Sequence, residues 1–458
     1  MNDITRTLAR FVVDSTPDAV PAPLYHEATR ALVNWMGCAI GSSQTDTVGN
    51  ALRGLAPCFG PPVATLYGRD EKVDMLHAAL LNGISSHVLD YDDTHARAIH
   101  PSAPVWPALL AIASGCTGGG DRPGSLPGVG PVSGQRLLHA FVLGVETECR
   151  VGLSVFPEHY EIGWHITGTA GIFGAAAAAG KLLGLDERQM CWALGIAATQ
   201  SSGLREMFGS MCKSFHPGRA AHGGLMAALM AQQGFTSSEQ AIEAKRGFAH
   251  VMSTKFDPSV ITERLGETWE LANNMYKPFA CGLVIHGVID GCIQLSTEHA
   301  LTADMIESVD LVVSPIVMEL TARKTPKTGL EGKFSVYHAA AAALVHRAGG
   351  EAQFGDACVN DPVVRALREK VATTVDAAIR RTEGKVTVKL RDGRVLYRHV
   401  EHALGTLQHP MSDADLERKF RALVVPPLAG GKADAILQAC WSIGKAADAG
   451  AALDTATR

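Results

Sequence analysis

Between residues 28 and 233 apolar side chains recur at helical spacing in block after block, and no stretch alternates apolar with polar as a half-buried strand does. The blocks run over 28–40, 74–90, 103–114, 135–153, 169–183, 187–199 and 218–233. Leu183-Gly-Leu-Asp186 reads as a stop followed by a start, with Gly184 as a left-handed C-terminal residue and Asp186 as the next N-cap. The pattern predicts an all-helical domain over 1–267. Beyond it the character changes. Residues 306–313 are β-branched and suit a strand, and 385–397 alternate around Asp392-Gly393, a strong hairpin signal. Helices are expected over 335–348 and 363–370, and Ser412 is a good N-cap for 413–423. We therefore expect a mainly α protein: a large helical domain, a smaller α+β lid domain over 268–407, and a return to the helical domain over 408–458.

Composition narrows the class. A formal net charge of −5 leaves no basic footprint, so neither nucleic acid nor an anionic membrane is an expected partner. Hydrophobic residues make up 47% and charged residues 19%, which suits a buried core and a subunit interface. The N-terminus has an early acid and no apolar h-region, and the most apolar run, 171–185, is broken by Lys181 and falls short of a membrane span. The 10 cysteines are scattered with no C-x-x-C pair, arguing for reduced thiols in a cytoplasm and against a zinc ribbon or iron–sulfur cluster. The Gly/Pro-rich stretch 116–134 contains Gly128-x-Gly130, but no strand precedes it and Pro131 removes an amide; it reads as a loop, not a nucleotide site.

The chemistry concentrates between His87 and Ser102. An apolar helix there runs into Asp90, Asp92, Asp93, Thr94, His95 and His100. Carboxylates at a helix C-terminus oppose the macrodipole, so the cluster is better explained by a site than by helix stability. Its spacing fits neither an EF-hand nor a D-D-x-x-D motif, because Ala96 stands where the last acid would be. We expect no metal, and a hydrogen-bonded Asp90 sharing a helical face with Thr94. His100-Pro-Ser102, His165-Ile-Thr167 and His216-Pro-Gly-Arg219 each precede an expected helix start, with Ser102 and Thr167 or Thr169 as caps. Helix N-termini beside imidazoles suit a substrate with several carboxylates. Lys213 lies in an expected break between helices and reads as a carboxylate anchor or proton donor. No Asp or Arg pattern supports a pyridoxal role for it, and no cofactor is expected. His286 stands on an apolar helix with Asp290 four residues on, placed to orient its ring.

Together these motifs resemble the MmgE/PrpD family, which includes 2-methylcitrate dehydratases, cis-aconitate decarboxylases and iminodisuccinate epimerases. The resemblance rests on Asp90-Tyr-Asp-Asp-Thr94 with His100-Pro-Ser102, Gly163-Trp-His165, and Leu182-Leu-Gly-Leu-Asp186. It continues through Lys213 to Ala221, Gly234-Phe-Thr236, Lys277-Pro-Phe279 with His286, and Lys333-Phe-Ser335. It implies a helical domain with a smaller lid, a homodimer, and a metal-free site between the domains. The Ala-Pro after His100-Pro-Ser102 looks most like the decarboxylase–epimerase branch. By motif position the catalytic set falls on Asp90, Thr94, His100, Lys213 and His286, with His165 in the pocket and Arg219 as a further substrate contact. His338, beside Tyr337, replaces the family's usual tyrosine and is expected to tune substrate choice. The implied activity is a lyase on a small di- or tricarboxylic acid, moving a proton at a carbon next to a carboxylate. An epimerase is the alternative, and a non-catalytic carboxylate-binding protein the remote one.

Overall fold

The computed structural model describes residues 3–97, 99–118, 124, 126, 129–428 and 431–457, and these divide into two units. The first comprises 1–88, 92–274 and 416–458; the second comprises 89–91 and 275–415. Gly128 of the Gly128-x-Gly130 pattern, with most of the 119–128 stretch, lies outside the described residues.

The first unit is built on the expected helices, including Met75–His87, Ser102–Gly115, Gly134–Val155, Gly171–Leu183, Glu187–Ala198 and Cys212–Gln232. The Gly171–Leu183 helix is central because it is apolar on every side until Lys181 in its last turn: Ala175 to Ala179 are each fully buried. With Ile166–Thr169 before it, this stretch reaches the length of a membrane span, contrary to the sequence expectation, yet 94% of the 18-residue window is buried among the protein's own side chains. Its apolarity belongs to the core, where Trp106 stacks on Phe141 at 4.0 Å between ring centroids. Gly184 takes φ +70° and Asp186 caps the following helix in a reciprocal capping box with Gln189, as read from the sequence.

Two glycines set the approach of the helices that carry the chemistry. A Cβ on Gly83 would lie 2.6 Å from the Gly218 Cα, and one on Gly218 would lie 2.5 Å from the Leu80 carbonyl oxygen. Side chains at either position would force the Met75–His87 and Cys212–Gln232 helices apart. This crossing lies one turn from His87 and two residues from His216.

The second unit holds a four-stranded sheet in the order Val371–Val375, Ile306–Val313, Gly384–Leu390, Val395–Val400. The first pair is parallel and the other two are antiparallel, with the last two strands joined at Asp392-Gly393, where Gly393 has φ +90°. The Val336–His346 and His286–Glu298 helices pack on the sheet; Gly291 faces Val386 and Val400.

Gly218→Ala is expected to cost about 1–3 kcal/mol of stability, because its methyl meets backbone rather than a movable side chain. Denaturant unfolding checks this, with the exposed Gly54→Ala, which meets nothing within 4 Å, as the control.

Candidate active site

The Met75–His87 helix stops where the acidic run begins. Val88 is its C-cap, and Asp90 sits in the left-handed region at φ +50°, a conformation an Asp side chain tolerates better than most. Asp90 and Thr94 therefore do not share a helical face, contrary to expectation. Asp90 lies in the second unit; Thr94 lies in the first, in the two-residue strand Thr94–His95. The Lys277 ammonium donates to both Asp90 Oδ1 and its carbonyl oxygen, each at 2.9 Å, so Asp90 is held as one half of a buried ion pair.

The first unit gathers imidazoles. His87 closes the Met75–His87 helix with its Nδ1 at 3.0 and 2.9 Å from the two oxygens of Asp92. Its ring lies 4.7 Å from that of His100 and 5.9 Å from that of His165, between centroids. His165 and His216 meet Nδ1 to Nδ1 at 2.8 Å, so one ring donates and the other accepts. That bond needs a neutral acceptor nitrogen. Burial, then the charge of Lys213, holds His165 well below the usual histidine range; burial first, with further electrostatic contributions from His87 and Lys213, holds His216 down at about 4. Lys213 stands over Phe208, with Nζ 5.4 Å from the ring centroid, and Phe208 in turn packs edge-on against His165.

Helix boundaries differ from expectation here. Lys213 and His216 both lie inside the Cys212–Gln232 helix, in its first two turns, rather than in a break before it. Pro217 follows them within the helix, in its second turn, and contributes no amide N–H to it. Ser102 is the first helical residue rather than the cap, and its hydroxyl donates to Asp93 Oδ2 at 2.7 Å. Thr167 and Thr169 lie within the Ile166–Thr169 turn; Thr167 Oγ1 accepts from the His100 amide at 3.1 Å and Thr169 Oγ1 pairs with His159 at 2.7 Å.

His100 is set apart by its access. Its side chain is 15% exposed, whereas His87 and Asp92 are at 0%. Its Nδ1 donates to the Asp93 carbonyl at 2.9 Å and lies 3.4 Å from Asp92 Oδ2, which directs chemistry to Nε2. Ile99 before it takes φ +57°, a real strain for a β-branched residue, and is held there by the His95 amide on its carbonyl at 2.9 Å. Thr94 Oγ1 donates to the same carbonyl at 3.3 Å, so it braces the loop that presents His100.

Asp93 lies behind this group. Its Oδ2 accepts from Ser102 and from the Asn274 amide, both at 2.7 Å, while Oδ1 is buried with no partner. Burial, reinforced by the charge of Asp92 and opposed by those two hydrogen bonds, pushes Asp93 up to about 7. Glu148, buried with neither oxygen partnered, is pushed well above the usual range by burial.

Other expected site residues have different surroundings. Arg219 donates to Gln200 at 3.1 Å. In the second unit His286 begins the His286–Glu298 helix, with Nε2 3.3 Å from the Cys281 carbonyl and its ring against Phe279. Asp290 does not orient it: its oxygens accept from Gln294 and from the Leu404 amide. His338 is fully buried, donates Nε2–H to the Gln353 carbonyl at 2.8 Å, and keeps an unpartnered Nδ1; burial holds it neutral, down at about 4.

Sequence reasoning missed His87 and Asp92 as a bonded pair. Their separation of five residues follows no helical rule once the helix ends at His87, and a histidine in an apolar helix carries no distinguishing signal. Atoms of His87, Asp92 and His100 also lie within 4.8 Å of one another, a grouping able to hold a metal ion. The Nδ1 of His100 is bonded to a carbonyl and that of His87 to the carboxylate, which leaves Nε2 as the nitrogen either ring would offer, and His87 Nε2 is buried with no partner among the described residues.

Residues 6–261 match the MmgE/PrpD N-terminal domain and residues 279–443 the MmgE/PrpD C-terminal domain, so the chain belongs to the MmgE/PrpD family. It is 29% identical to the cis-aconitate decarboxylase of Homo sapiens over 373 residues, covering 78% of this chain and 75% of that one. It is 25% identical over 443 residues to a cis-aconitate decarboxylase-like protein of Aspergillus oryzae, covering 92% and 90%. With the cis-aconitate decarboxylase of Aspergillus terreus the identity is 24% over 448 residues, covering 92% and 89%.

The protonated state of Asp93 has a measurable sign. The native state keeps a proton that the unfolded chain releases near pH 4, so its stabilising contribution is present below that pH and is lost as pH rises through about 7. Asp93→Asn carries no such proton. Its stability relative to the parent should therefore improve by about 2 kcal/mol between pH 5 and pH 7. Urea unfolding of both proteins at the two pH values measures it, and a difference independent of pH would show that Asp93 is ionised.

Proposed function

We propose that this chain is a metal-independent carboxylic-acid lyase that decarboxylates cis-aconitate or a close di- or tricarboxylic acid. The observation that carries the reading is one reachable imidazole, His100, backed by Asp92 and the Asp93 carbonyl, beside Lys213 and a neutral histidine pair. Loss of carbon dioxide leaves an electron pair on carbon, delocalised toward a neighbouring carboxylate, and that carbon must take up a proton. His100 Nε2 supplies it, while Asp92 balances the charge the ring carries before transfer. Lys213 grips a substrate carboxylate. Asp90 and His286 are kept as catalytic candidates on their motif positions, and Thr94 as a brace for the His100 loop. The names of the relatives support decarboxylation over dehydration. We further propose that the protein works as a homodimer, which sedimentation would test.

The paired imidazoles of His165 and His216 favour one second reading: epimerisation, in which a proton leaves one face of carbon and returns to the other. Proton NMR of chelator-treated enzyme in deuterated water separates the two. We expect itaconate from cis-aconitate. Water loss from 2-methylcitrate would replace decarboxylation by dehydration, and deuterium wash-in at the α-carbon of iminodisuccinate without loss of carbon would make the enzyme an epimerase. A rate that collapses on chelation and returns with a divalent cation would overturn metal independence and assign His87, Asp92 and His100 as ligands.

His100→Gln should lower kcat by about 10²–10⁴-fold with folding intact, since it removes the proton donor and keeps the side-chain volume. Lys213→Met should raise KM more than it lowers kcat, because the lysine binds a carboxylate present before and after the reaction. Steady-state kinetics with circular dichroism as the folding control decides both, and near-parent activity in either variant would remove that residue from the mechanism.

A further inference from the structure

The second unit contains a cavity of about 440 Å³ whose lining shares no residue with the imidazole cluster or with Asp90, His286 and His338. Lys324, Lys327, Arg365 and Arg368 line it against a single carboxylate, Glu369. Arg365 and Arg368 stand three residues apart in the last turn of the Pro362–Arg368 helix, where cations complement the partial negative charge of the helix end. That accounts for basic residues at this place, but an exposed lysine would serve the helix as well. It does not account for burial. Arg368 is only 8% exposed, and its hydrogen bond among the described residues runs from Nη1 to the Val359 carbonyl at 3.3 Å. A guanidinium has five N–H donors, and this one, tucked against the protein with that one bond, keeps the others for the cavity. Burial and the nearby charge of Arg365 both weaken its hold on a proton, the condition an added anion would relieve.

The walls are fixed in advance. Asn360 donates to the Lys327 carbonyl at 3.0 Å, and the Lys327 amide donates to Glu331 at 2.7 Å, so the loop carrying both lysines is tied at its base. Lys324 sits over the face of Tyr337, with Nζ 5.5 Å from the ring centroid, and the Tyr337 hydroxyl is paired with that of Thr373 at 3.0 Å. Such a volume suits an organic molecule rather than a bare oxyanion.

We propose that this cavity is a second ligand site, which takes a small organic polyanion bearing carboxylate or phosphate groups. Arg368 is its buried anchor, and Lys324, Lys327 and Arg365 are the exposed cations around it. The site stands apart from the proposed reaction and does not depend on it.

Isothermal titration of the full chain at low salt, with citrate and with glycerol 3-phosphate as separate probes, tests this. The titrations are repeated in Lys213→Met, which cripples the imidazole site, and in Lys324→Gln/Lys327→Gln, whose turnover without added anion should equal the parent's. Binding of at least one probe should survive Lys213→Met, weaken about tenfold in the double variant and fall further in Arg368→Gln. Survival for citrate alone assigns polycarboxylates, and for glycerol 3-phosphate alone phosphate esters. Binding abolished by Lys213→Met, binding untouched by the double variant, or no heat from either probe at millimolar concentration would each overturn the proposal. Because the two surface lysines can be replaced without disturbing the core, a misfolded Arg368→Gln leaves the test intact.

Discussion

The hold on residues 89–91 governs how the rest of this chain is organised. Lys333 donates to the Leu89 carbonyl at 2.7 Å, Lys277 grips Asp90, and the Tyr91 hydroxyl donates to the Pro278 carbonyl at 2.6 Å. Three consecutive residues are thereby bound into the second unit while their neighbours on both sides belong to the first. The lysines are buried, with side-chain exposures of 2% and 4%, so each must keep its partner. Removing one member of such a pair typically costs about 3–5 kcal/mol, because the other charge is left buried and alone. Set against that, the left-handed backbone at Asp90 costs roughly 1–2 kcal/mol and is easily borne. The acidic motif is divided by this hold: His87 and Asp92 pair within the first unit, and Asp90 pairs with Lys277 within the second.

Within the first unit, burial sorts several of the titratable groups. Burial penalises charge, so it shifts His165 and His216 toward losing their protons and Asp93 and Glu148 toward keeping theirs. Neutral acids and neutral bases in one cluster are two results of the same desolvation. A shared hydrogen bond between the histidines, which tolerates only one Nδ1 proton, reinforces the outcome.

The helical plan was legible in the sequence because period 3.6 and the stop–start chemistry of Gly184 and Asp186 are local properties. The strand over Ile306–Val313 and the Asp392-Gly393 hairpin were legible for the same reason. What failed depended on distant partners. Asp290 lies one turn from His286, yet the amide of Leu404 and the side chain of Gln294 take its oxygens. Lys213 and His216 read as a break because Pro217 and Gly218 punctuate it, whereas the helix tolerates the proline near its start and needs the glycine to pass Gly83. Asp90 and Thr94 fit a helical spacing that the chain abandons at His87. His100 and His165 stood out by their motifs, and the structure brings their rings together through His87, which no spacing rule singled out.

The distribution of protons bears on which chemistry the site favours. Epimerisation needs two groups at the reacting carbon in opposite states, one holding a proton and one ready to take it, and each must reach the substrate. His165 and His216 are held neutral, bond to each other through Nδ1 and are buried, so within the cluster of His87, His100, His165 and His216 it is His100 that has the most access to a ligand. A single accessible donor beside a cation suits a reaction that generates one carbanion and quenches it once. Decarboxylation has that requirement: the departing carboxylate leaves as neutral carbon dioxide, needs no acid, and the only proton transferred is the one that ends on carbon. Dehydration would ask for a base at carbon and an acid at the leaving hydroxide together. On proton economy, therefore, the burial pattern of the four clustered histidines is compatible with the proposed decarboxylation.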